Sequence, residues 1–188
     1  PAAACSPAAA PLRRPSFPAL GPAARVCAVS YLLGAYADGL ALPWRAGLSG
    51  GERVWMLVYP PDLERSMRAA LPRLELATGE AGHGWHQIDI TENLGRWLAG
   101  HRYAEAFFEN PSDLTAAIID QFESDLVSEV RERLSAASTN DVAILVGIGA
   151  IFPFLRASSV IKAIDEEMNG RILVLFPGPH DPGPHSFR

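Results

Sequence analysis

Short apolar runs alternate with longer amphipathic segments from residue 53 onward. The runs are rich in β-forming residues, and most are apolar throughout rather than alternating in polarity, which is typical of strands buried on both faces. They predict four strands, at Arg53–Tyr59, Trp85–Ile90, Asp141–Gly147 and Arg171–Phe176.

The segments between these runs carry apolar residues at helical spacing, often after a residue suited to a first helical turn. They predict a helix after Pro61 that Pro72 kinks or ends, two short helices separated by Gly100, a long helix beginning at Asn110, and a helix from Pro153 to about Met168.

Strands that alternate with helices indicate crossover connections and a mostly parallel sheet. We therefore expect a three-layer α/β fold with at least four strands and helices on both faces. Residues 1–50 are expected to form a Pro/Ala-rich flexible tail and linker with a short helix between Ala24 and Trp44, and residues 51–188 the α/β domain.

Composition excludes several classes of function. A net charge of −5 argues against a protein that neutralises nucleic-acid phosphates directly. Lys162 is the only lysine and follows Ile161, so the phosphate-binding loop that ends in Gly-Lys is absent. Two cysteines, Cys5 and Cys27, suit a reducing compartment, and no apolar run approaches the length of a membrane span. We expect a soluble, cytoplasmic protein without a cofactor.

In parallel sheets the functional crevice lies beyond the carboxyl ends of the strands. Three segments fall there: "YPPD" after the first strand, "GIGAIFPFLR" after the third and "FPGPHDPG" after the fourth. They supply the candidate interaction or anion-binding residues Gly147, Gly149, Phe152, Pro153, Phe154, Arg156, Pro177 and Gly178.

Arg156 is the unusual member of this set. If the helix begins at Pro153, a cation in its first turn opposes the helix dipole and needs an anionic partner. That partner is either a carboxylate of the chain, such as Asp62 or Asp89, or a group on another molecule. Phe152 and Phe154 are either core residues or, with Arg156, part of a docking patch, since aromatic residues and arginine are enriched at interface hot spots.

Other chemistries are less well supported. Backbone amides around Gly147–Gly149 could receive an anion, although the third glycine of a dinucleotide fingerprint is missing. A metal site would draw on His83 and His86, which in a strand would point to opposite faces, or on His180, Asp181 and His185 in a loop, where histidines are more often solvated. We expect no metal. The carboxylates of two helices are expected to lie on solvated surfaces: Asp120, Glu123, Asp125 and Glu129, and Asp165, Glu166 and Glu167.

The segment "ILVGIGAIFPFLRASSVIKAIDEEMNGRILVLFPGPHD" resembles the signature region of the BrxB family of the BREX bacteriophage-exclusion systems of bacteria. Gly147, Gly149, Ala150 and Pro153–Arg156 match its G-V-G-A-V-Y-P-F-L-R motif, and Phe176–Gly178 match its F-P-G. The chain departs from the family after F-P-G, where an acidic residue and Y-D-G are usual. It also stops at Arg188, so we expect the domain to be truncated there.

The resemblance implies a multi-protein defence system that includes a methyltransferase, an ATPase and an alkaline-phosphatase-like protein. The resemblance identifies no catalytic residues in this chain. We therefore expect a non-catalytic accessory component that docks onto a larger partner, with the phosphatase-like protein as the leading candidate. The alternative is a nucleotide- or anion-binding α/β enzyme that uses the crevice at the strand ends.

Overall fold

A four-stranded parallel sheet forms the centre of the molecule. The structure is a computed structural model that describes residues 21–44, 50–152, 154–165 and 170–178. The strands are β1 (Val54–Tyr59), β2 (Gly84–Asp89), β3 (Asp141–Val146) and β4 (Arg171–Pro177), and their order in the sheet is β1-β4-β3-β2. Each begins and ends within one residue of its predicted position, and the predicted α/β class is confirmed.

Helices occupy most of the sequence between the strands. Short 3-10 turns lie at Pro61–Leu63, Pro111–Asp113 and Ile148–Ile151. The α-helices of the described part are α1 (Pro22–Leu40), α2 (Gly50–Arg53), α3 (Glu64–Ala69), α4 (Leu71–Glu80), α5 (Asn93–Ala99), α6 (Ala104–Glu109), α7 (Ala116–Leu134) and α8 (Ala157–Asp165).

Pro72 begins a helix instead of ending one. Helix α3 stops at Ala69, and α4 starts at Leu71 with Pro72 in its first turn. A proline is tolerated there because the first amides of a helix have no partner within the helix. The predicted interruption of the helix is therefore present, but Pro72 comes after it, in the first turn of α4.

The long helix begins at Ala116, so the predicted start at Asn110 is wrong. Pro111–Asp113 forms a separate 3-10 turn, and the Asn110 side-chain amide donates to the Asp113 carboxylate at 3.0 Å. Thr115 is then extended, with ψ of 162°, which separates this turn from α7.

The helix after β3 also begins later than predicted, at Ala157 rather than Pro153. Ile148–Ile151 forms a 3-10 turn, and Phe152 is extended. The carbonyl of Arg156 accepts the amides of Ser159 and Val160. Arg156 therefore precedes the helix and does not lie in its first turn. The predicted end at Met168 falls outside the described residues.

Alternate residues of β3 belong to two separate apolar clusters. Val142, Ile144 and Val146 pack with buried residues of α1, α3 and α4, whereas Ala143 and Leu145 pack with those of α7 and α8. Since successive side chains of a strand point to opposite faces, each face of the sheet has its own helices. The proposed domain boundary near residue 51 stays a prediction.

One apolar stripe packs helix α1 against the face of the sheet that also carries α3 and α4. Its buried residues are Val29, Leu33, Tyr36 and Leu40. The hydroxyl of Tyr36 lies 2.6 Å from that of Thr78 on α4, and burial raises the pKa of Tyr36 to about 12, although its hydrogen bond with Thr78 lowers it. The predicted short helix in this region is thus a 19-residue helix.

Candidate functional site at the carboxyl ends of the strands

The carboxyl ends of β1 and β4 bring the first and third predicted segments together. Tyr59 is opposite Pro177, and the Gly178 amide donates to the Tyr59 carbonyl at 2.9 Å. The second segment joins them through Gly149, where a Cβ would lie 3.0 Å from Cγ of Pro177. The predicted convergence at one edge of the sheet is therefore present.

Gly147 allows the chain to leave β3 against the segment that follows β2. Its φ is +88°, a left-handed conformation that favours glycine. A Cβ on Gly147 would lie 2.7 Å from the backbone nitrogen of Thr91, which is closer than real Cβ atoms approach. Gly178 is similarly restricted, because its Cβ would lie 2.6 Å from the Phe176 ring. Packing alone thus accounts for both glycines.

The described residues that follow the 3-10 turn are mostly exposed and are held by two buried anchors. Ile151 is fully buried and Leu155 nearly so, whereas Phe152 is 75% exposed and Phe154 42% exposed. Arg156 is exposed as well. We call Phe152, Phe154 and Arg156 the aromatic–arginine patch. The alternative that both phenylalanines are core residues is wrong, because the aliphatic anchors occupy the core positions. Pro153 lies outside the described residues.

The carboxylates suggested as partners of Arg156 bind other arginines. Asp62 pairs with Arg25 of α1 at 3.7 Å, and Asp89 pairs with Arg68 of α3 at 3.0 Å. None of the ion pairs found among the described residues includes Arg156. The expectation of a salt bridge to Asp62 or Asp89 is wrong, because helices on the other face of the sheet supply those partners.

A polar network that sequence reasoning missed crosses the carboxyl ends of the strands. We call it the Arg68 network. The Tyr59 hydroxyl donates to Glu64 at 2.6 Å, and Arg68 donates to Glu64 at 2.7 Å, to Asp89 at 3.0 Å and to the Thr91 hydroxyl at 2.5 Å. Thr91 in turn donates its amide to Asp89 at 2.9 Å. The network links β1 and β2, the two edge strands of the sheet, through α3.

The signal for this network was present in the sequence. Glu64 and Arg68 stand four residues apart, a spacing that pairs opposite charges on one helix face. Asp89 lies at the carboxyl end of the predicted second strand, where polar residues collect at the edge of a parallel sheet. What the sequence could not indicate is that α3 crosses the strand ends close enough for one guanidinium to contact both carboxylates.

The electrostatics of the network favour a structural role. Burial raises the pKa of Asp89, but hydrogen bonds from Thr91 and the charge and hydrogen bond of Arg68 outweigh it, so that this pKa lies below its usual value. Burial and the neighbouring Glu64 carboxylate raise the pKa of Tyr59. Two carboxylates share one guanidinium, so the network carries excess negative charge at neutral pH and is a poor receptor for an anion.

The histidines of the first suggested metal set have other partners. Nδ1 of His83 lies 2.9 Å from Oδ1 of Asn140, and its ring stacks on Trp44 with centroids 3.6 Å apart. Nε2 of His86 lies 2.9 Å from Oδ2 of Asp141. Within the described ranges, no group of three or more His, Cys, Asp or Glu side chains is arranged to hold a metal ion. The second set, His180, Asp181 and His185, lies outside them.

Some of the carboxylates expected on solvated surfaces make hydrogen bonds or ion pairs with other side chains. On α7, Asp125 accepts a hydrogen bond from the Trp97 indole at 2.8 Å, and Glu129 accepts one from Asn93 at 2.7 Å. Asp165, at the end of α8, pairs with Arg53 at 3.5 Å and is largely buried, so its predicted solvation is wrong. Glu166 and Glu167 lie outside the described residues.

The parallel sheet, its helices and the convergence of three loops at its carboxyl edge define an α/β protein. Within it, residues 103–187 match the family model described as BREX protein BrxB, which confirms the family resemblance over the region from α6 through β4. The match supports a component of a BREX phage-defence system. No curated protein and no solved structure matches the chain. In the part of the chain that the structure describes, no helix is both long and apolar enough to cross a membrane.

Proposed function

We propose that this protein is a non-catalytic accessory component of a BREX phage-defence complex and that the aromatic–arginine patch docks it onto a larger protein of the system. The observation that carries the proposal is the exposure of two phenylalanines and an arginine close together in the sequence, on a segment whose buried anchors are Ile151 and Leu155.

Exposed aromatic side chains leave apolar surface in contact with water, and a partner that covers them recovers that free energy. Arginine beside aromatic residues is a frequent hot-spot combination, because its planar group stacks on apolar surface while it donates to carboxylates. The partner surface should therefore offer an apolar pocket with a carboxylate at its rim.

The leading candidate for the partner is the alkaline-phosphatase-like protein of the system, and the expected location is the cytoplasm. The family match supports other BREX proteins as partners. The net charge of −5 favours protein partners over direct contact with nucleic acid.

The alternative, a nucleotide- or anion-binding enzyme at the strand ends, has weaker support. Arg68, which reaches the strand ends, is already bound by Glu64 and Asp89. The glycines Gly147 and Gly178 are explained by close packing, so a ligand is not needed to account for them.

The test is co-purification from cells that express the complete operon, with an affinity tag on this protein. The double variant Phe152→Ala/Phe154→Ala and the single variant Arg156→Ala are compared with Phe108→Ala, which removes a 62% exposed phenylalanine on α6. We expect a stoichiometric partner with the unmodified chain and with Phe108→Ala, and at least about tenfold less with the patch variants.

Each variant is first checked for unchanged thermal unfolding. Equal recovery of the partner with all variants would place the docking surface elsewhere. Recovery of no partner from any strain would remove the support for a docking component.

A further inference from the structure

Arg171, the first residue of β4, is a buried cation at the amino end of the sheet. It is only 7% exposed, and in the described part of the chain it is the one charged residue among the buried ones. The other two buried polar side chains there are hydrogen-bonded, Thr78 to Tyr36 and Asn93 to Glu129. Arg171 takes part in none of the ion pairs found among the described residues. A buried charge is costly unless it is paired and hydrogen-bonded.

The neighbours of the Arg171 guanidinium are two indole rings. Its Cζ lies 5.1 Å from the centre of the Trp44 ring and 5.9 Å from that of the Trp55 ring. Such cation–π contacts compensate only part of the hydration that a buried cation loses. Two N–H groups of this cluster, Nε of Arg171 and Nε1 of Trp44, are buried and have no hydrogen-bond acceptor in the protein. Buried donors of this kind need an explanation, and a bound water or ion is one.

The charges around Arg171 favour an anion over a water molecule. Burial and the nearby positive charge of Arg53 lower the pKa of Arg171, and the negative charge of Glu52 offsets this only in part. Arg53 itself pairs with Asp165 at 3.5 Å. A water molecule would accept from the two N–H groups but leave the guanidinium charge without a counter-ion. An oxyanion would accept from both groups and neutralise the charge as well.

We propose that Arg171 and Trp44 form a binding site for a small oxyanion, in which a carboxylate or phosphate group accepts hydrogen bonds from the Arg171 guanidinium and the Trp44 indole. The planar guanidinium can bind two oxygens of such a group at once. The site lies at the amino ends of β1 and β4, whereas the aromatic–arginine patch follows the carboxyl end of β3. The two proposals are therefore independent.

The first experiment uses the indoles that flank Arg171 as reporters. The intrinsic tryptophan fluorescence of the full chain is titrated with sodium phosphate and, separately, with sodium acetate, each against sodium chloride of equal ionic strength. We expect a saturable change, and the anion that saturates at the lower concentration identifies the preferred group. Arg171→Met should raise that concentration at least about tenfold. Arg65→Met, at an exposed arginine of α3, is the matched control and should leave it unchanged.

The second experiment measures thermal unfolding with and without the same anions. An anion that binds only the folded chain raises Tm, and this should occur in the unmodified chain and in Arg65→Met but not in Arg171→Met. Without added anion, Arg171→Met should unfold at the same or a higher temperature than the unmodified chain, because the variant lacks an unpaired buried charge. Trp44→Phe keeps an aromatic ring beside Arg171 and removes only the indole N–H, so it should weaken the effect of the anion without abolishing it.

The proposal is overturned if neither anion gives a saturable change in the unmodified chain, or if Arg171→Met responds as strongly as the unmodified chain. A lower Tm of Arg171→Met together with no anion effect would assign Arg171 a purely structural role between the two indoles. Should Arg171→Met fail to fold, Trp44→Phe decides the question, since an undiminished anion response in that variant excludes the indole N–H and with it the proposed site.

Discussion

Arg68 of α3 donates from Nη1 to Oδ2 of Asp89, at the carboxyl end of β2, over a distance of 3.0 Å. Through the same side chain α3 also contacts Thr91, and through Glu64 it contacts Tyr59 on the opposite edge strand. One helix thus connects the two edges of the sheet at the end where the candidate loops converge.

Arg68→Ala should therefore destabilise the fold. It removes charge-assisted hydrogen bonds to Asp89 and Glu64 and leaves these carboxylates facing each other without a cation. We expect a loss of about 1–2 kcal/mol in the free energy of unfolding, because both groups are partly exposed. Urea denaturation measures it. Arg65→Ala, an exposed position of the same helix, serves as the control and should change stability by no more than about 0.5 kcal/mol.

The strands were predictable because a strand buried on both faces needs an unbroken apolar run, and Val142–Val146 is such a run. The helix starts were less predictable, because the backbone conformation of a single residue decides whether a turn continues into the helix that follows it. Thr115 and Phe152 are extended, and each separates a 3-10 turn from the helix expected to include it. Phe152 precedes a proline in the sequence, which biases it toward extended backbone, so this interruption had a signal that the prediction did not use. Thr115 has no proline or glycine next to it, and its interruption had no such signal.

The candidate site was predictable in part. Parallel strands bring their carboxyl ends to one edge, which is why Gly149 and Pro177 were expected to be near each other. The exposure of Phe152 and Phe154 was not predictable, since four apolar side chains interrupted only by a proline fit a buried loop equally well. Pairing of Asp89 with Arg68 instead of Arg156 depends on where α3 crosses the sheet, which is a tertiary property.

Gly147→Ala should strongly destabilise the protein. The residue must adopt φ near +88°, and the added Cβ would lie 2.7 Å from the Thr91 nitrogen, so the loop after β2 has to move. We expect a loss of about 1–3 kcal/mol, measured by the urea midpoint. Gly79→Ala in α4 is the matched control: its Cβ position is open, and alanine should stabilise that helix by up to about 1 kcal/mol. Equal effects of the two variants would contradict the strained geometry.

Asp141 should make stability depend on acidic pH. Burial raises the pKa of this carboxyl, but hydrogen bonds from the Ser138 amide, His86 and the Ser138 hydroxyl outweigh it and hold the pKa below its usual value. A pKa lowered by folding gives stability that is complete above the unfolded-state value, about 3.9, and is lost as pH falls through the folded-state value.

The measurement is the free energy of unfolding between neutral pH and strongly acidic pH. The unmodified chain should lose stability as the pH falls below about 5. Asp141→Asn should start less stable at neutral pH and show a shallower decline, because the carboxylate that must be protonated is gone. Asp120→Asn, an exposed position of α7, is the control. A decline as steep in Asp141→Asn as in the unmodified chain would rule out this assignment.

Ile151 and Phe152 are adjacent, but their substitution should have different effects. Ile151→Ala should mainly lower stability, whereas Phe152→Ala should mainly lower partner binding. Ile151 is fully buried and packs with residues of α7 and α8, so Ile151→Ala should cost about 2–5 kcal/mol and lower partner recovery only through unfolding. Phe152 is 75% exposed, so Phe152→Ala should change stability by no more than about 0.5 kcal/mol. Thermal unfolding of both purified variants, followed by co-purification at a temperature where both are folded, separates the two roles. If Phe152→Ala unfolds as easily as Ile151→Ala, the segment is part of the core and its exposed aromatic residues are not available for docking.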